Sequence, residues 1–192
     1  QTFLSKFPIL KNKIVKIENI ITKKMIENKA NDFILNEYDN DCIKLLSIGR
    51  FSNAKNFDNV PAICKEIVNM GINVKWYIIG YGKDEMLIKN KIQEYNMSNH
   101  VFILGKKENP YPYIKSCDIY IQPSRYEGKA VSVREAQILC KPVVITNYPT
   151  SKSQINDGVD GIIVPMDNKK CAQMIVDFIK NKELQNNIVQ YL

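Results

Sequence analysis

The sequence predicts an α/β fold built on a doubly wound, Rossmann-like parallel sheet with helices on both faces. From residue 43 onward, six short apolar runs alternate with helical patterns. Such alternation produces right-handed βαβ units, whose parallel sheets are covered on both sides. We assign residues 41–192 to this domain. Residues 1–40 lack the alternation and resemble a linker and hinge more than a domain.

The first half of the domain opens with the apolar run IKLLSIG (43–49), which ends in glycine. FDNVPAICKEIVNMG follows, with apolar residues three or four positions apart, and predicts a helix that stops at Gly71. VKWYIIG (74–80) predicts the second strand. GKDEMLIKNKIQEYNM then predicts a helix with Asp84 as its N-cap and acidic residues in its first turn.

The second half continues the same alternation. VFILG (101–105) predicts a strand and NPYPYIKSC a helix opened by proline. CDIYIQP (117–123) is the fourth strand, followed by a helix that ends near Cys140. VVIT and GIIVP (161–165) are the last two strands, and a single final helix is predicted from about residue 168 to 190.

The composition and charge of the chain limit the kinds of binding partner that we expect. Apolar residues make up 45% of the chain, which is enough for a folded core. No apolar run reaches the roughly 18 residues that span a bilayer, and the start does not resemble a signal peptide. The net charge of +7 favours anionic partners, but no nucleic-acid motif occurs, so we expect no nucleic-acid partner. For the basic stretch 6–29 we favour a solvated linker over a contact with a membrane surface.

The five cysteines lie 22 or more positions apart and form no CxxC pair. Their scatter among apolar runs predicts reduced core thiols and a cytoplasmic location. With His100 as the only histidine, a zinc site is not expected, and His100 is interpreted as a turn residue.

Ligands of doubly wound sheets bind outside the carboxyl ends of the strands. The first four strands end in GRFSNAK, GYGKDE, GKKENP and PSRYEGK, so glycines and bases collect at that edge and indicate an anion site. Arg50 and Lys55, five positions apart, are cations that suit a diphosphate. The alternative interpretation is that Arg50 and Lys55 are solvated surface charges that bind no ligand.

Two other motifs are weaker. GYGKDE lacks the third glycine of a dinucleotide fingerprint and the ending of a P-loop. We therefore predict a tight strand-to-helix turn. A phosphate could still approach its backbone, because glycine has no side chain to obstruct it. DND (39–41) imitates an Asp-x-Asp metal motif but precedes the first strand, at the wrong end of the sheet. We therefore predict a solvated turn there and no metal.

Glu127 and Glu135 stand eight positions apart, where the fourth strand leads into a helix. They fit an acid/base pair, a metal clamp, a hydroxyl-binding pair or solvated charge. A glycosidase pair would straddle a sugar bond with its carboxyl groups about 5–10 Å apart, which is unusual for this edge. A helix start offers free N–H groups to phosphate, while nearby carboxylates accept hydrogen bonds from hydroxyls.

Together these segments resemble the C-terminal, donor-binding domain of retaining glycosyltransferases of the GT-B fold, glycosyltransferase family 4. The resemblance covers about residues 42–180: LLSIGRFSNAKNFD, WYIIGYGKDEMLI, VFILGKKENPYPYIKSCDIYIQPSRYEGKAVSVREAQILCKPVVIT and INDGVDGIIVP. The family's pattern of two glutamates separated by seven residues is met by Glu127 and Glu135. Residues 1–40 would then be a linker and the tail end of a missing N-terminal domain, with KIVKIENII near the junction.

The resemblance implies a role for each matching residue. Glu135 would bind the ribose hydroxyls of a nucleoside-diphosphate sugar, and Glu127 would lie beside the donor sugar. Arg50 and Lys55 would bind the diphosphate, which makes Glu127, Arg50 and Lys55 the expected catalytic residues. The remaining donor-binding positions lie at the ends of the third and fourth strands and are Gly105, Lys106, Gly128, Lys129, Ala130 and Val131.

The resemblance also implies that no metal or other cofactor is needed and that the nucleotide sugar, with UDP favoured, is the main partner. The other expected partner is the protein's own N-terminal acceptor domain, without which this part alone would be inactive. The resemblance further implies a role in the synthesis of a surface polysaccharide or glycolipid, in the cytoplasm at the inner face of the membrane. Lys129 stands where the family has Phe or Leu, and NYPTSKSQINDG replaces a glycine-rich loop, so no role is transferred to Gln154.

Two alternatives stay open at this point. One is a GT-B sugar-nucleotide epimerase, which would need catalytic carboxylates and a histidine that this segment does not display. The other is a non-catalytic Rossmann-like module that binds a nucleotide for regulation.

Overall fold

The computed structural model describes residues 5–9, 22–35, 38 and 41–192. KIVKIENII and half of the predicted linker lie outside the described residues. Helix α1 runs over Lys23–Lys29 and buries Ile26. None of the helices in the described ranges combines the length and the apolar character that crossing a bilayer requires.

Six parallel strands form one sheet, as the sequence predicts. Their order across the sheet is β3-β2-β1-β4-β5-β6. The strands are β1 (Ile43–Ile48), β2 (Val74–Ile79), β3 (Val101–Gly105), β4 (Ile119–Gln122), β5 (Val143–Thr146) and β6 (Ile162–Val164). The doubly wound α/β fold is thereby confirmed.

Helices cover both faces of the sheet and enclose two apolar clusters. Trp76 and Ile67 belong to one cluster, and Tyr120 and Val133 belong to the other. Strand residues alternate between the faces, so the neighbours Trp76 and Tyr77 are buried in different clusters. After α1 the helices are α2 (Val60–Asn69), α3 (Glu85–Glu94), α4 (Tyr111–Ser116), α5 (Val131–Ile138), α6 (Asn168–Lys180) and α7 (Lys182–Tyr191).

The strand order determines where along the edge of the sheet a ligand-binding crevice opens. The chain winds outward from β1 through β2 to β3, then returns to pair β4 with β1 and winds the other way. The loops that follow β1 and β4 therefore leave adjacent strands in opposite directions and open a crevice between them. Both predicted clusters of charged residues, Arg50 with Lys55 and Glu127 with Glu135, follow these two strands.

The predicted single final helix is wrong. It divides into α6 and α7 at Asn181, whose backbone leaves the helical region with φ −88° and ψ 79°. The Asn181 side chain accepts a hydrogen bond from the Leu184 N–H at 3.0 Å and starts α7. Gln185 donates to the carbonyl oxygens of Phe178 and Ile179, which satisfies the end of α6.

The GYGKDE segment is a tight turn between β2 and α3, as predicted. A Cβ added to Gly80 would lie 1.9 Å from the Gly49 carbonyl oxygen, and one on Gly82 would lie 2.4 Å from that of Phe51. Phe51 N–H donates to the Tyr81 carbonyl at 2.8 Å, so the loop after β1 rests directly on this turn. Because the two glycines lack a Cβ, the backbone of the loop after β1 can approach this turn closely. Asp84 stands at the N-cap position of α3, but its side chain makes no capping hydrogen bond.

Three of the cysteines, Cys64, Cys117 and Cys171, are buried and all five are free thiols. Burial raises the pKa of each of these three thiols to about 12, so they stay protonated. Cys140 is exposed, at the end of α5. His100 lies in the turn before β3, as expected, with Nδ1 2.9 Å from the Val74 carbonyl oxygen. The cytoplasmic location stays a prediction.

Candidate functional site

An ion pair between Lys55 and Glu127 lies at the crevice. Lys55 Nζ is 2.6 Å from Glu127 Oε1, although the residues are 72 positions apart in the chain. Lys55 ends a short 3₁₀ turn after β1, and Glu127 follows β4. Glu127 is only 8% exposed, so its carboxylate is shielded from most of the solvent. Two of the predicted site residues are therefore brought into direct contact.

Further hydrogen bonds fix the Glu127 carboxylate. Ser124 Oγ donates to Oε1 at 2.6 Å, and Gln122 Nε2 donates to the same oxygen at 3.1 Å. The Gln122 amide oxygen in turn accepts from the Tyr120 hydroxyl at 2.9 Å. Among the described residues, all three donors to this carboxylate meet Oε1 and leave Oε2 without one. The carboxylate is thus held in one orientation.

Sequence reasoning did not identify Ser124 and Gln122 as site residues. Both are fully buried polar side chains, and buried polar groups require partners. The signal in the sequence was weak: a glutamine at the last position of β4, where a buried strand otherwise carries apolar residues.

The loop after β1 is shaped to present Lys55. Asn56 adopts the left-handed conformation with φ 60°, which asparagine tolerates better than most residues. Its side-chain amide donates to the Pro123 carbonyl oxygen at 2.8 Å and so joins this loop to the segment after β4. The Asn56 Oδ1 atom is buried without a hydrogen-bond partner.

A second link between the two loops comes from Arg125. Its guanidinium binds both carboxylate oxygens of Asp58, at 2.9 and 2.8 Å, and also donates to the Asn53 carbonyl. The Arg125 backbone N–H donates to the Ala54 carbonyl at 2.9 Å. Such a bidentate pair fixes the geometry as well as the distance. The Lys55–Glu127 contact is therefore held from both sides.

Arg50 and Lys106 line a separate cavity of about 290 Å³ at the ends of β1, β2 and β3. Both side chains are exposed. Gly105, the last residue of β3, has φ 71° and accepts from the Gly80 N–H at 2.9 Å. Lys106 Nζ lies 5.7 Å from the centre of the Tyr81 ring. The structure thus groups Arg50 with Lys106, while Lys55 contacts Glu127.

The segment from Gly128 to Val131 leads into α5. Gly128 and Lys129 are exposed, Ala130 is buried at the N-cap position, and Val131 is the first residue of the helix. Lys129, Ala130 and Val131 line a cavity of about 490 Å³ together with Gln154. Ala130 has no side chain that could cap α5. Its N–H is bound instead by the Gln154 amide oxygen at 2.8 Å.

Glu135 lies in the second turn of α5 and is half-buried. Burial raises the pKa of this carboxyl, and a hydrogen bond from the Tyr111 hydroxyl, at 3.0 Å, opposes that rise. The pKa of Tyr111 is itself raised to about 12, first by burial and then by the charge of Glu135. Tyr111, at the start of α4, is a further site residue that the sequence did not single out.

Replacing Tyr111 with phenylalanine should raise the pKa of Glu135 further, because it removes the hydrogen bond to the ionised form. A carboxyl with a raised folded-state pKa contributes stability at low pH and loses it as pH rises through that pKa. The Tyr111→Phe protein should therefore lose more stability than the parent between acid and neutral pH. NMR titration of the Glu135 carboxyl carbon measures the shift directly.

Tyr126→Phe is the matched control, since Tyr126 is 60% exposed and its substitution removes a hydroxyl at the surface. It should leave the Glu135 pKa unchanged. An unchanged Glu135 pKa in Tyr111→Phe would show that the hydrogen bond is not formed in solution.

The described residues contain no group of three or more His, Cys, Asp or Glu side chains placed to hold a metal ion. Asp39 and Asn40 of the DND motif lie outside the described residues, and Asp41 is exposed in the turn before β1.

Comparisons with known proteins bear on the family and the fold of the chain. The family profile described as "Glycosyl transferases group 1" matches residues 27–192. An uncharacterized glycosyltransferase of Methanocaldococcus jannaschii is 29% identical over 158 residues, which are 79% of this chain and 38% of that protein. The poly(glycerol-phosphate) alpha-glucosyltransferase of Bacillus subtilis is 28% identical over 141 residues, which are 72% of this chain and 21% of that protein.

Among solved structures, a variant of Staphylococcus aureus TarM in complex with fondaparinux, alpha-GlcNAc-glycerol and UDP superimposes with a TM-score of 0.75. The match covers 97% of this chain and 37% of TarM, at 21% sequence identity, and so shows a common fold. The chain spans well under half the length of these relatives.

Proposed function

Because the chain belongs to the group 1 glycosyl transferases, we propose that it binds the nucleoside-diphosphate sugar donor of a retaining glycosyltransferase of family 4. The observation that carries the proposal is the crevice at which Lys55, the buried Glu127 carboxylate and the start of α5 meet. Cations and free N–H groups suit a diphosphate, and a fixed carboxylate suits sugar hydroxyls.

Transfer of a glycosyl group places negative charge on the departing diphosphate and positive charge on the sugar ring. Lys55, Arg50 and the N–H groups at the start of α5 would stabilise the negative charge from fixed positions. The hydrogen bonds that hold Glu127 Oε1 leave Oε2 to accept from a hydroxyl of the donor sugar. We propose no protein nucleophile and no metal for this reaction.

Glu135, in the second turn of α5, carries the nucleoside end of the proposal. Glu135 would accept hydrogen bonds from the ribose hydroxyls, with Tyr111 holding its Oε1 atom. Lys106 lines the neighbouring cavity with Arg50, and Gly105 precedes it at the end of β3. Both residues would contact the nucleotide there. UDP is the favoured nucleotide, and the UDP bound to the similarly folded TarM supports that choice.

The acceptor would be bound by another domain, as in the two-domain GT-B enzymes, and this part alone would not transfer sugar. Synthesis of a surface polymer is the proposed setting. The Bacillus subtilis relative, which by its name glucosylates poly(glycerol-phosphate), supports this setting.

Calorimetric titration with UDP, GDP and ADP, in the presence of a chelator, tests the proposal. UDP should bind, and Glu135→Ala should weaken UDP and uridine alike by about 1–3 kcal/mol through a lost charge-assisted hydrogen bond. Arg50→Ala should weaken UDP and leave uridine nearly unchanged, because uridine has no phosphate for it to bind. Glu183→Ala, an exposed carboxylate in the first turn of α7, is the control.

Three results would count against the proposal. A folded protein that binds none of the nucleotides has no donor site. A requirement for a divalent metal would contradict metal-free binding. Equal losses for UDP and uridine in Arg50→Ala would remove its phosphate role.

A further inference from the structure

The loop between β5 and β6 holds the backbone of the segment that leads into α5. Thr150 Oγ1 donates to the Glu127 carbonyl oxygen at 2.7 Å. The Gln154 amide oxygen accepts from the Ala130 N–H at 2.8 Å, and its amide nitrogen lies 3.5 Å from the Gly128 carbonyl oxygen. Three of the four residues from 127 to 130 are thus contacted by two side chains from another loop.

The middle of the held segment lies at the surface. Gly128 and Lys129 are exposed, and a Cβ placed on Gly128 would meet no atom within 4 Å. Ala130 occupies the N-cap position, where a serine or aspartate would supply the capping oxygen. Gln154 acts differently: from 24 residues away in the chain, its amide oxygen accepts a hydrogen bond from the N–H of Ala130 itself.

Gln154 is itself fixed within its loop. The hydroxyl of Tyr148, which is buried, donates to the Gln154 amide oxygen at 3.3 Å, and the Gln154 amide nitrogen donates to Thr150 Oγ1 at 3.3 Å. The next residue, Ile155, is 2% exposed and packs in an apolar cluster. The loop therefore offers a rigid support for a side chain that reaches the start of α5.

The location of Gln154 indicates that it orients the start of α5 and does not occupy the N–H groups that a ligand would use. Gln154 binds the N–H of Ala130, which precedes the helix. The next two N–H groups, on Val131 and Ser132, are the first of the helix and precede any intrahelical hydrogen bond. Gln154 thus leaves them open while setting the direction in which they point.

We propose that Gln154 is a positioning residue of the donor site: it caps α5 so that the N–H groups of Val131 and Ser132 are aimed at the diphosphate. This inference rests on the proposed function. Fixed donors bind an anion more tightly than mobile ones, because less conformational freedom is lost on binding. Gln154 itself touches neither sugar nor phosphate.

Gln154→Met tests the inference, since methionine has a similar length and forms no comparable hydrogen bonds. UDP affinity should fall about tenfold, the change that one lost hydrogen bond of about 1.4 kcal/mol produces. Uridine affinity should stay unchanged, because the nucleoside depends on Glu135. Ser153→Ala is the matched control: Ser153 lies in the same turn and donates only to the Thr150 carbonyl. Both affinities should match the parent in this control.

The ratio of UDP to uridine affinity separates positioning from simple loss of stability. Equal losses for UDP and uridine, an unchanged UDP affinity, or tighter UDP binding would each overturn the inference. If Gln154→Met does not fold, Thr150→Val, which removes the bond to the Glu127 carbonyl, should show the same selective loss of UDP affinity. Failure of the parent protein to bind UDP would instead overturn the proposed function, and this inference with it.

Discussion

Replacing Lys55 with alanine is expected to lower the free energy of unfolding by about 3 kcal/mol and to weaken UDP binding by at least about tenfold. Lys55 Nζ lies 2.6 Å from Glu127 Oε1, and the two side chains are only 20% and 9% exposed. The variant leaves a shielded carboxylate without its cation, which costs more than the pair itself contributes. Denaturant unfolding and calorimetric titration measure the two effects.

Two further variants make the Lys55 result specific. Lys169→Ala removes an exposed lysine from α6 and should change neither quantity. Glu127→Gln keeps an oxygen that accepts from Lys55 and Ser124, so its loss of stability should be smaller and UDP binding should persist. A Lys55→Ala protein as stable as Lys169→Ala would contradict the structural role of the pair. Unchanged UDP affinity in Lys55→Ala would contradict the contact with diphosphate.

Replacing Gly80 with alanine is expected to destabilise the protein by about 4 kcal/mol, the sum of backbone strain and overpacking. Gly80 has φ 153°, and an added Cβ would lie 1.9 Å from the Gly49 carbonyl oxygen and 2.9 Å from the Phe51 ring. Gly49 and Phe51 belong to the loop that carries Arg50, so relief of the clash would displace this residue too. Thermal and denaturant unfolding measure the loss.

Gly71→Ala is the matched control for Gly80→Ala. Gly71 has φ 80°, and an added Cβ would meet no atom within 4 Å. Its substitution should therefore cost only the backbone strain of about 1–2 kcal/mol. Similar losses in the two variants would show that the loop after β1 does not pack against the β2–α3 turn in solution.

The strands and most helices could be predicted from residue patterns because burial on both faces makes each strand a short apolar run. Apolar residues at three- or four-residue spacing predict a helix, as in α2. The break at Asn181 escaped this reasoning, since the apolar spacing continues on both sides of it. The break depends on hydrogen bonds that Asn181 and Gln185 make in the folded chain.

The site was predicted in part. The two glutamates and the pair Arg50 and Lys55 stand in recognisable motifs at strand ends. Tyr111 and Gln154 do not, because each acts by contacting a residue from another segment. Such contacts depend on the order of strands in the sheet, which periodicity does not encode.

The sequence by itself determined the class of fold, the strand ends at which charged residues collect, and the resemblance to glycosyltransferases, which the group 1 family profile then supported. Only the tertiary structure decided that Lys55 contacts Glu127 and that Gln154 binds the N–H of Ala130. The first contact depends on the pairing of β1 with β4, which joins loops 72 positions apart, and the second on the pairing of β4 with β5. Local patterns record which face of an element is buried, whereas partners across the sheet are set by the packing of the whole chain.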